Sequence, residues 1–470
     1  MDAEQIRELE PKLQAYLKEF DDCFVVESTR GHLPVYIGGQ LSDLPRKSVE
    51  PIALQAGMAP RTLQEFLSLL KWDVDLMRDR LQQRVARQHA GPHSIAIFDE
   101  TSCVKKGTKT PGVQRQYCGS TGKIENCVVT VHLAFAQEDF HCLLGSALYL
   151  PESWSDDRER CRAAGIADEI VYRAKWKIAL ELLDESLRNG LEFSWTTFDE
   201  GYGSKPPFLR GLAQRKQRYV GEIPVNFRVW VAPAPSAGKR RKRRVLPRRR
   251  PAIEVGHLLR FSPAVRDQEW TTYRVKEGTQ GPMLWRVKHL LVYFKDEQKN
   301  PRGPSHLVIA SNALNPSEVK YFVSNAEPGT PVQQLLLVGF SRWRVERCFE
   351  DEKTELGFDH FEGRQSIGLK RHQAITATTH LFLAEVHQEL RKKKSGAYRV
   401  PSQDRRRGAG SVVVERQEPD RPRRQEDPIR SSQPRGGTKE PYQTDTTAPQ
   451  KYRDPPRRRR TLCLGLELGS

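Results

Sequence analysis

The sequence predicts a mixed α/β layer fold, and three observations carry that reading. Residues 1 to about 90 place their apolar side chains at helical spacing only. From about 93 to 225, short segments rich in β-branched and aromatic residues alternate with amphipathic helical stretches. A second strand-rich stretch, broken by Pro and Gly, runs from about 226 to 325 before helical spacing resumes.

In chain order, Leu9, Leu13, Tyr16, Leu17 and Phe20 mark a first helix. Ser48–Ala56 and Arg61–Leu70 form two short helical segments around Gly57-Met-Ala-Pro60, a candidate helix-turn-helix within an expected helical DNA-binding domain spanning 1–90. The same pairing occurs in ordinary helical bundles, so both readings stand. Ser94–Asp99, Cys127–Ala136 and His141–Leu150 read as strands, with Gly119–Lys123 as the hairpin turn before the second. A helix follows, with Tyr172, Trp176, Ala179, Leu180, Leu183 and Leu187 on one face. The strand leading to Asp199, a helix near Pro207–Lys216 and a strand from Arg218 to Val225 complete a first core segment, 91–225. Segments at Asn226–Val231, Trp270–Lys276, Leu284–Phe294, His306–Ser311 and Val319–Val323 make 226–325 a β-rich insertion. Its loop Lys239–Arg250 holds nine basic residues in twelve, Arg240, Arg241, Arg243 and Arg244 among them. Such a run cannot pack and is suited to tracking phosphates. The helix of Glu346 and another over Lys370–Lys394 close the core, 326–394. The stretch 395–470 reads as a disordered Arg/Pro-rich tail.

The net charge of +18 favours nucleic acid as partner over acidic small molecules. Eight cysteines without a C-x-x-C spacing indicate neither a zinc module nor a secreted disulfide framework. No apolar run approaches the ~18 residues of a membrane span, and the acidic start Met-Asp-Ala-Glu is unlike a signal peptide. A cytoplasmic protein is expected. There is no H-E-x-x-H, G-x-S-x-G or phosphate-binding G-x-x-x-x-G-K motif, so zincin, serine-hydrolase and NTPase chemistry lack support.

Three acidic residues stand out. Asp99 ends the run Ser94-Ile-Ala-Ile-Phe-Asp, and Asp199 ends Phe193-Ser-Trp-Thr-Thr-Phe-Asp just before Gly-Tyr-Gly. Glu346 lies in a helical stretch where Arg342, Phe349 and Lys353 fall within about 60° of it. Two strand-end carboxylates and one from a helix suit a pair of Mg²⁺ ions on a phosphodiester. Both strand ends read Asp-Glu, and periodicity alone leaves Glu100 and Glu200 as second candidates. Lys105 and Lys106, just past the first strand, are placed for phosphate oxygens, and Tyr117 for stacking on a displaced base.

Several ordered blocks resemble bacterial insertion-sequence transposases of the DDE superfamily. They are Phe98-Asp-Glu-Thr with Val104-Lys-Lys-Gly and Val113-Gln-Arg-Gln-Tyr-Cys-Gly, then Leu148-Tyr-Leu-Pro-Glu-Ser-Trp, Phe198-Asp-Glu-Gly-Tyr-Gly, and Arg342-Trp-Arg-Val-Glu346 with Phe349 and Lys353. The resemblance covers roughly 30–390. It implies an RNase H-like catalytic core interrupted by the β-rich insertion, with hydrolysis at transposon ends followed by attack of the freed 3′-OH on target DNA. It makes Asp99, Asp199 and Glu346 ligands of two Mg²⁺ or Mn²⁺ ions, with Arg342 and Lys353 holding phosphates. Double-stranded DNA is the implied partner, bound by a homodimer assembled on it, with no small-molecule cofactor and nucleoid association when bound. A tyrosine often precedes the signature arginine by three positions; Gly339 stands there, leaving that contact missing or supplied by Phe340. The tail has no family-like ending. A catalytically inactive DNA-binding remnant and a structure-selective nuclease of the same fold are the alternatives.

Overall fold

The computed structural model describes residues 8–231, 252–278, 281–294 and 303–397. The basic loop Lys239–Arg250 and the tail beyond Ala397 lie outside them. The described residues up to Lys392 belong to one unit.

Helices of seven residues or more are numbered here. α1 (Leu9–Leu17), α2 (His32–Leu41), α3 (Val49–Gln55), α4 (Pro60–Ser68) and α5 (Val74–Gln88) make up the N-terminal layer. Two of them start at a local signal: Pro60 opens α4, and the Asp73 carboxylate caps α5 by accepting from Asp75 and Leu76 N–H. β1 (Ile95–Val104), β2 (Gln114–Cys118), β3 (Lys123–Gln137) and β4 (Phe140–Leu148) follow as antiparallel neighbours. Then come α6 (Lys175–Arg188), β5 (Trp195–Phe198), α7 (Pro206–Gln214) and β6 (Tyr219–Glu222). β5 lies parallel to β1, and β6 parallel to β5.

The strand-rich stretch continues the same sheet. After the two-residue strands β7 (Arg228–Val229) and β8 (Ile253–Glu254) and α8 (Val255–Phe261) come β9 (Thr271–Gly278), β10 (Gly281–Val292), β11 (Ser305–Asn312) and β12 (Val319–Ser324). β12 pairs antiparallel with β6, giving the order β2-β3-β1-β5-β6-β12-β11-β10-β9, with β4 also on β3. Asn226–Val231, expected as a full strand, contributes only β7 and a single bridge from Trp230 to Tyr293.

The chain closes with α9 (Val332–Phe340), α10 (Trp343–Glu355) and α11 (Ser366–Ala397). α10 packs on β1, β3 and β4, and α6 packs on β3 and β4. A buried polar ladder ties α11 to the N-terminal helices. Tyr16 donates to the Thr378 carbonyl at 2.8 Å, Gln40 to Thr376 Oγ1 at 2.8 Å, and Tyr36 Oη lies 3.0 Å from His372 Nδ1. Arg371 donates to the carbonyls of Phe66, Leu67 and Trp72. Each such bond nets about 0.5–1.5 kcal/mol, but a buried donor left unpaired costs more, so the ladder fixes register as much as stability.

Candidate active site

Parallel pairing of β1 with β5 ends at Phe98 opposite Phe198, so Asp99 and Asp199 emerge side by side on adjacent strands. Asp99 is not at a strand end as expected: β1 runs on to Val104, still paired with β3. Asp199 leaves its strand and caps a single helical turn, Glu200–Gly203, its Oδ1 accepting from Tyr202 N–H at 3.2 Å. The Gly-Tyr-Gly motif serves this turn. A Cβ on Gly203 would stand 1.9 Å from the Glu222 carbonyl oxygen, so only glycine lets the turn lie against β6.

Tertiary contacts separate the two acids of the Asp99-Glu100 pair on β1. Glu100 points to the α6 side and pairs with Lys175 Nζ at 2.6 Å. Asp99 and Thr101 face α10, where Phe349 packs edge-on against His132, the residue opposite Asp99. On that face Arg342 Nη1 donates to Asp99 Oδ2 at 2.7 Å, and Nη2 donates to Glu346 Oε1 at 2.7 Å. Asp99 Oδ1 accepts from the Glu100 N–H at 2.8 Å. Asp99 is deep and Glu346 is at the mouth: their side chains are 11% and 59% exposed, with Arg342 at 21% between them. Glu200 is exposed on its helical turn.

Burial pushes the Asp99 carboxyl up to about 7; the Arg342 guanidinium opposes this, while the charges of Asp199 and Glu346 add to it. One guanidinium therefore leaves the pocket short of positive charge. As the side chains stand, no three His, Cys, Asp or Glu groups among the described residues converge tightly enough to hold a metal ion. The donor set nevertheless fits one. Three carboxylates supply hard oxygen ligands, and Arg342 occupies the space between two of them as a stand-in cation.

The other candidates are placed as follows. Lys353 donates to Thr101 Oγ1 at 2.7 Å and to the Ser102 carbonyl at 3.2 Å. Lys105 donates to the carbonyls of Asp359 and Phe361, and burial lowers its pKa. Both ammonium groups thus tie β1 to α10 and the segment after it. Lys106 and Tyr117 are exposed. Arg240, Arg241, Arg243 and Arg244 lie outside the described residues. Phe340 packs against Trp285 and Phe322, and a Cβ on Gly339 would already press on Phe322 and Val220 at 3.2–3.3 Å. No tyrosine fits at 339 without repacking, and Phe340 is turned to the core. Lys175, the partner of Glu100, was not singled out from sequence; it sat at the end of a recognised helix, with nothing to mark its cross-sheet contact.

Residues 19–282, more than half of the chain, match the model of the DDE superfamily endonuclease family. The chain belongs to that family. It is also similar to a probable transposase for insertion sequence element IS701 from Microchaete diplosiphon, 33% identical over 199 residues, which is 42% of this chain and 49% of the relative. The chain thus spans about half the length of the curated relative it matches. Asp99 and Asp199 fall within the family match, whereas Glu346 lies beyond it and joins the site through Arg342. No helix among the described residues of this DDE family member is long and apolar enough to cross a membrane.

Proposed function

We propose that this chain is a DDE-type transposase that cuts DNA at the ends of an insertion sequence and joins the freed 3′-OH to target DNA. The observation that carries the reading is that Asp99 and Asp199 emerge side by side from the parallel pairing of β1 and β5, with Asp99 bridged through Arg342 to Glu346. The strand order β4-β3-β1-β5-β6, with three antiparallel strands followed by two parallel to β1, supports an RNase H-like core. The relative's name supports the transposase reading.

Asp99, Asp199 and Glu346 would hold two divalent cations, Mg²⁺ or Mn²⁺, which when bound supply Lewis acidity for the attacking water and for the departing 3′-oxygen. The chain's own groups set the geometry. The β-sheet fixes the Asp99 backbone, the helical turn fixes Asp199 through the Tyr202 N–H, and α10 presents Glu346 from its first turn. Arg342 and the exposed Lys106 offer positive charge to phosphates, and α3–α4 offer a helix pair to the duplex. A homodimer assembled on two DNA ends, in the cytoplasm, is the working form.

The test incubates the protein with labelled duplex from the flanks of its own gene, with Mg²⁺ or with Ca²⁺. Mg²⁺-dependent nicking and joining are expected, and Asp99→Ala, Asp199→Ala and Glu346→Ala should each abolish them while gel-shift affinity stays near wild type. Salt-sensitive binding without cleavage would identify a silent DNA-binding remnant. Cleavage without joining or end preference would identify a simple nuclease. Full nicking by any of the three variants would remove that residue from the site.

A further inference from the structure

The Arg342 fork is spent on two different carboxylates, one deep and one at the mouth of the pocket, each at 2.7 Å. Those oxygens are the ones a divalent cation needs. The guanidinium is always charged, so it cannot give them up by losing a proton; it has to move. It sits at the N-terminal boundary of α10 with helical backbone angles, so its side chain can swing toward the open mouth without shifting the helix.

We propose that Arg342 is the pocket's resident counter-cation, and that divalent ion and DNA load the site cooperatively by displacing it. The ion takes the Asp99 and Glu346 oxygens, and the released guanidinium takes a DNA phosphate. The inference rests on the functional reading above. An ion arriving alone expels a guanidinium whose other carboxylate neighbours are Asp199, which the ion also takes, and Glu222, already paired with Lys320. DNA arriving alone meets a guanidinium already committed and a pocket whose carboxylates it only partly offsets. Together each supplies what the other lacks, because a phosphate accepts the fork as well as a carboxylate does. By reciprocity, DNA raises affinity for the ion by the factor through which the ion raises affinity for DNA. Lys353, bound to a hydroxyl and a carbonyl instead of a carboxylate, is not displaced.

The test measures Mn²⁺ binding by electron paramagnetic resonance of the free ion, with and without a duplex that stops at the cut position and ends there in a 3′-dideoxynucleotide, so that no bond is left to cut and no 3′-OH is left to join. For the wild-type chain DNA should raise Mn²⁺ affinity on the order of ten-fold. Arg342→Gln should bind Mn²⁺ about ten-fold more tightly than wild type without DNA, and gain little when DNA is added. Arg347→Gln, which removes the same charge from the same helix where it pairs with Glu350 and Asp351, should keep the wild-type gain. If Arg342→Gln fails to fold by circular dichroism, Arg342→Lys should show a reduced gain instead. An undiminished DNA effect in the Arg342 variants would overturn this inference alone. Absence of Mn²⁺ binding to wild type and to every variant would overturn the functional reading and this inference with it.

Discussion

At the scale of the residue, Asp99 is the most constrained group in the pocket. Buried, next to two other carboxylates and only partly neutralised by Arg342, it holds its proton up to about pH 7. The folded chain therefore binds that proton more tightly than the unfolded chain, whose aspartates titrate near about 4. Without divalent cations, stability from this site should rise as pH falls from 8 through 7 toward that range. Cation binding should move the other way, weakening as the proton takes the oxygens. Thermal melts of wild type and Asp99→Asn from pH 8 to 5 check this. The wild type should gain in melting temperature relative to the variant on acidification, with Mn²⁺ stabilising it most at pH 8. Parallel pH profiles would show that Asp99 is not held in that state. Sequence alone singled out Asp99 but left Glu100 open. The choice depends on which sheet face carries α10 and which carries α6, a fact of tertiary packing that alternation cannot supply. Lys105 and Lys353 show the converse. Their positions in the sequence fit phosphate contacts, yet their Nζ atoms are taken up by backbone carbonyls and a hydroxyl.

At the scale of the element, the pocket depends on how closely β5 and β6 approach. A Cβ on Gly221 of β6 would lie 1.8 Å from Phe198 Cε2, and Phe198 directly precedes Asp199. Gly221→Ala should force the Phe198 ring and the following turn to shift, at an overpacking cost of about 1–3 kcal/mol. Urea denaturation should show that loss, and metal-dependent nicking should fall with it. Wild-type stability and activity in this variant would mean that the two strands have slack the structure does not suggest. Most elements were legible because period-2 and period-3.6 patterns are strong from Leu9 to Lys394. Boundaries shifted where pairing overrode local pattern, as in β1, which continues through the polar stretch Glu100-Thr-Ser because β3 pairs it throughout. Asn226–Val231 had the right composition for a strand, but only two of its residues find a ladder partner.

At the scale of the whole molecule, the chain assembles one site from segments some 250 residues apart. Asp99 comes from the first strand of the sheet and Glu346 from α10, after β9–β12 have extended that sheet beyond β6. The β-rich composition of 226–325 was readable, but the pairing of β12 with β6 was not, because a ladder between distant strands leaves no local pattern. The same non-local closure explains the buried Arg371, His372, Thr376 and Thr379 of α11. Polar residues in an otherwise apolar helix make sense only against the N-terminal helices they bond to.

The role given to Asp99, Asp199 and Glu346 is to grip divalent cations at DNA. Anomalous diffraction from crystals of the protein bound to duplex and soaked in Mn²⁺ addresses it most directly. Mn²⁺ peaks are expected about 2.1 Å from carboxylate oxygens of all three residues, with Arg342 turned onto a phosphate. Peaks held by other side chains, or DNA seated in the pocket with Arg342 still bridging Asp99 and Glu346, would contradict it.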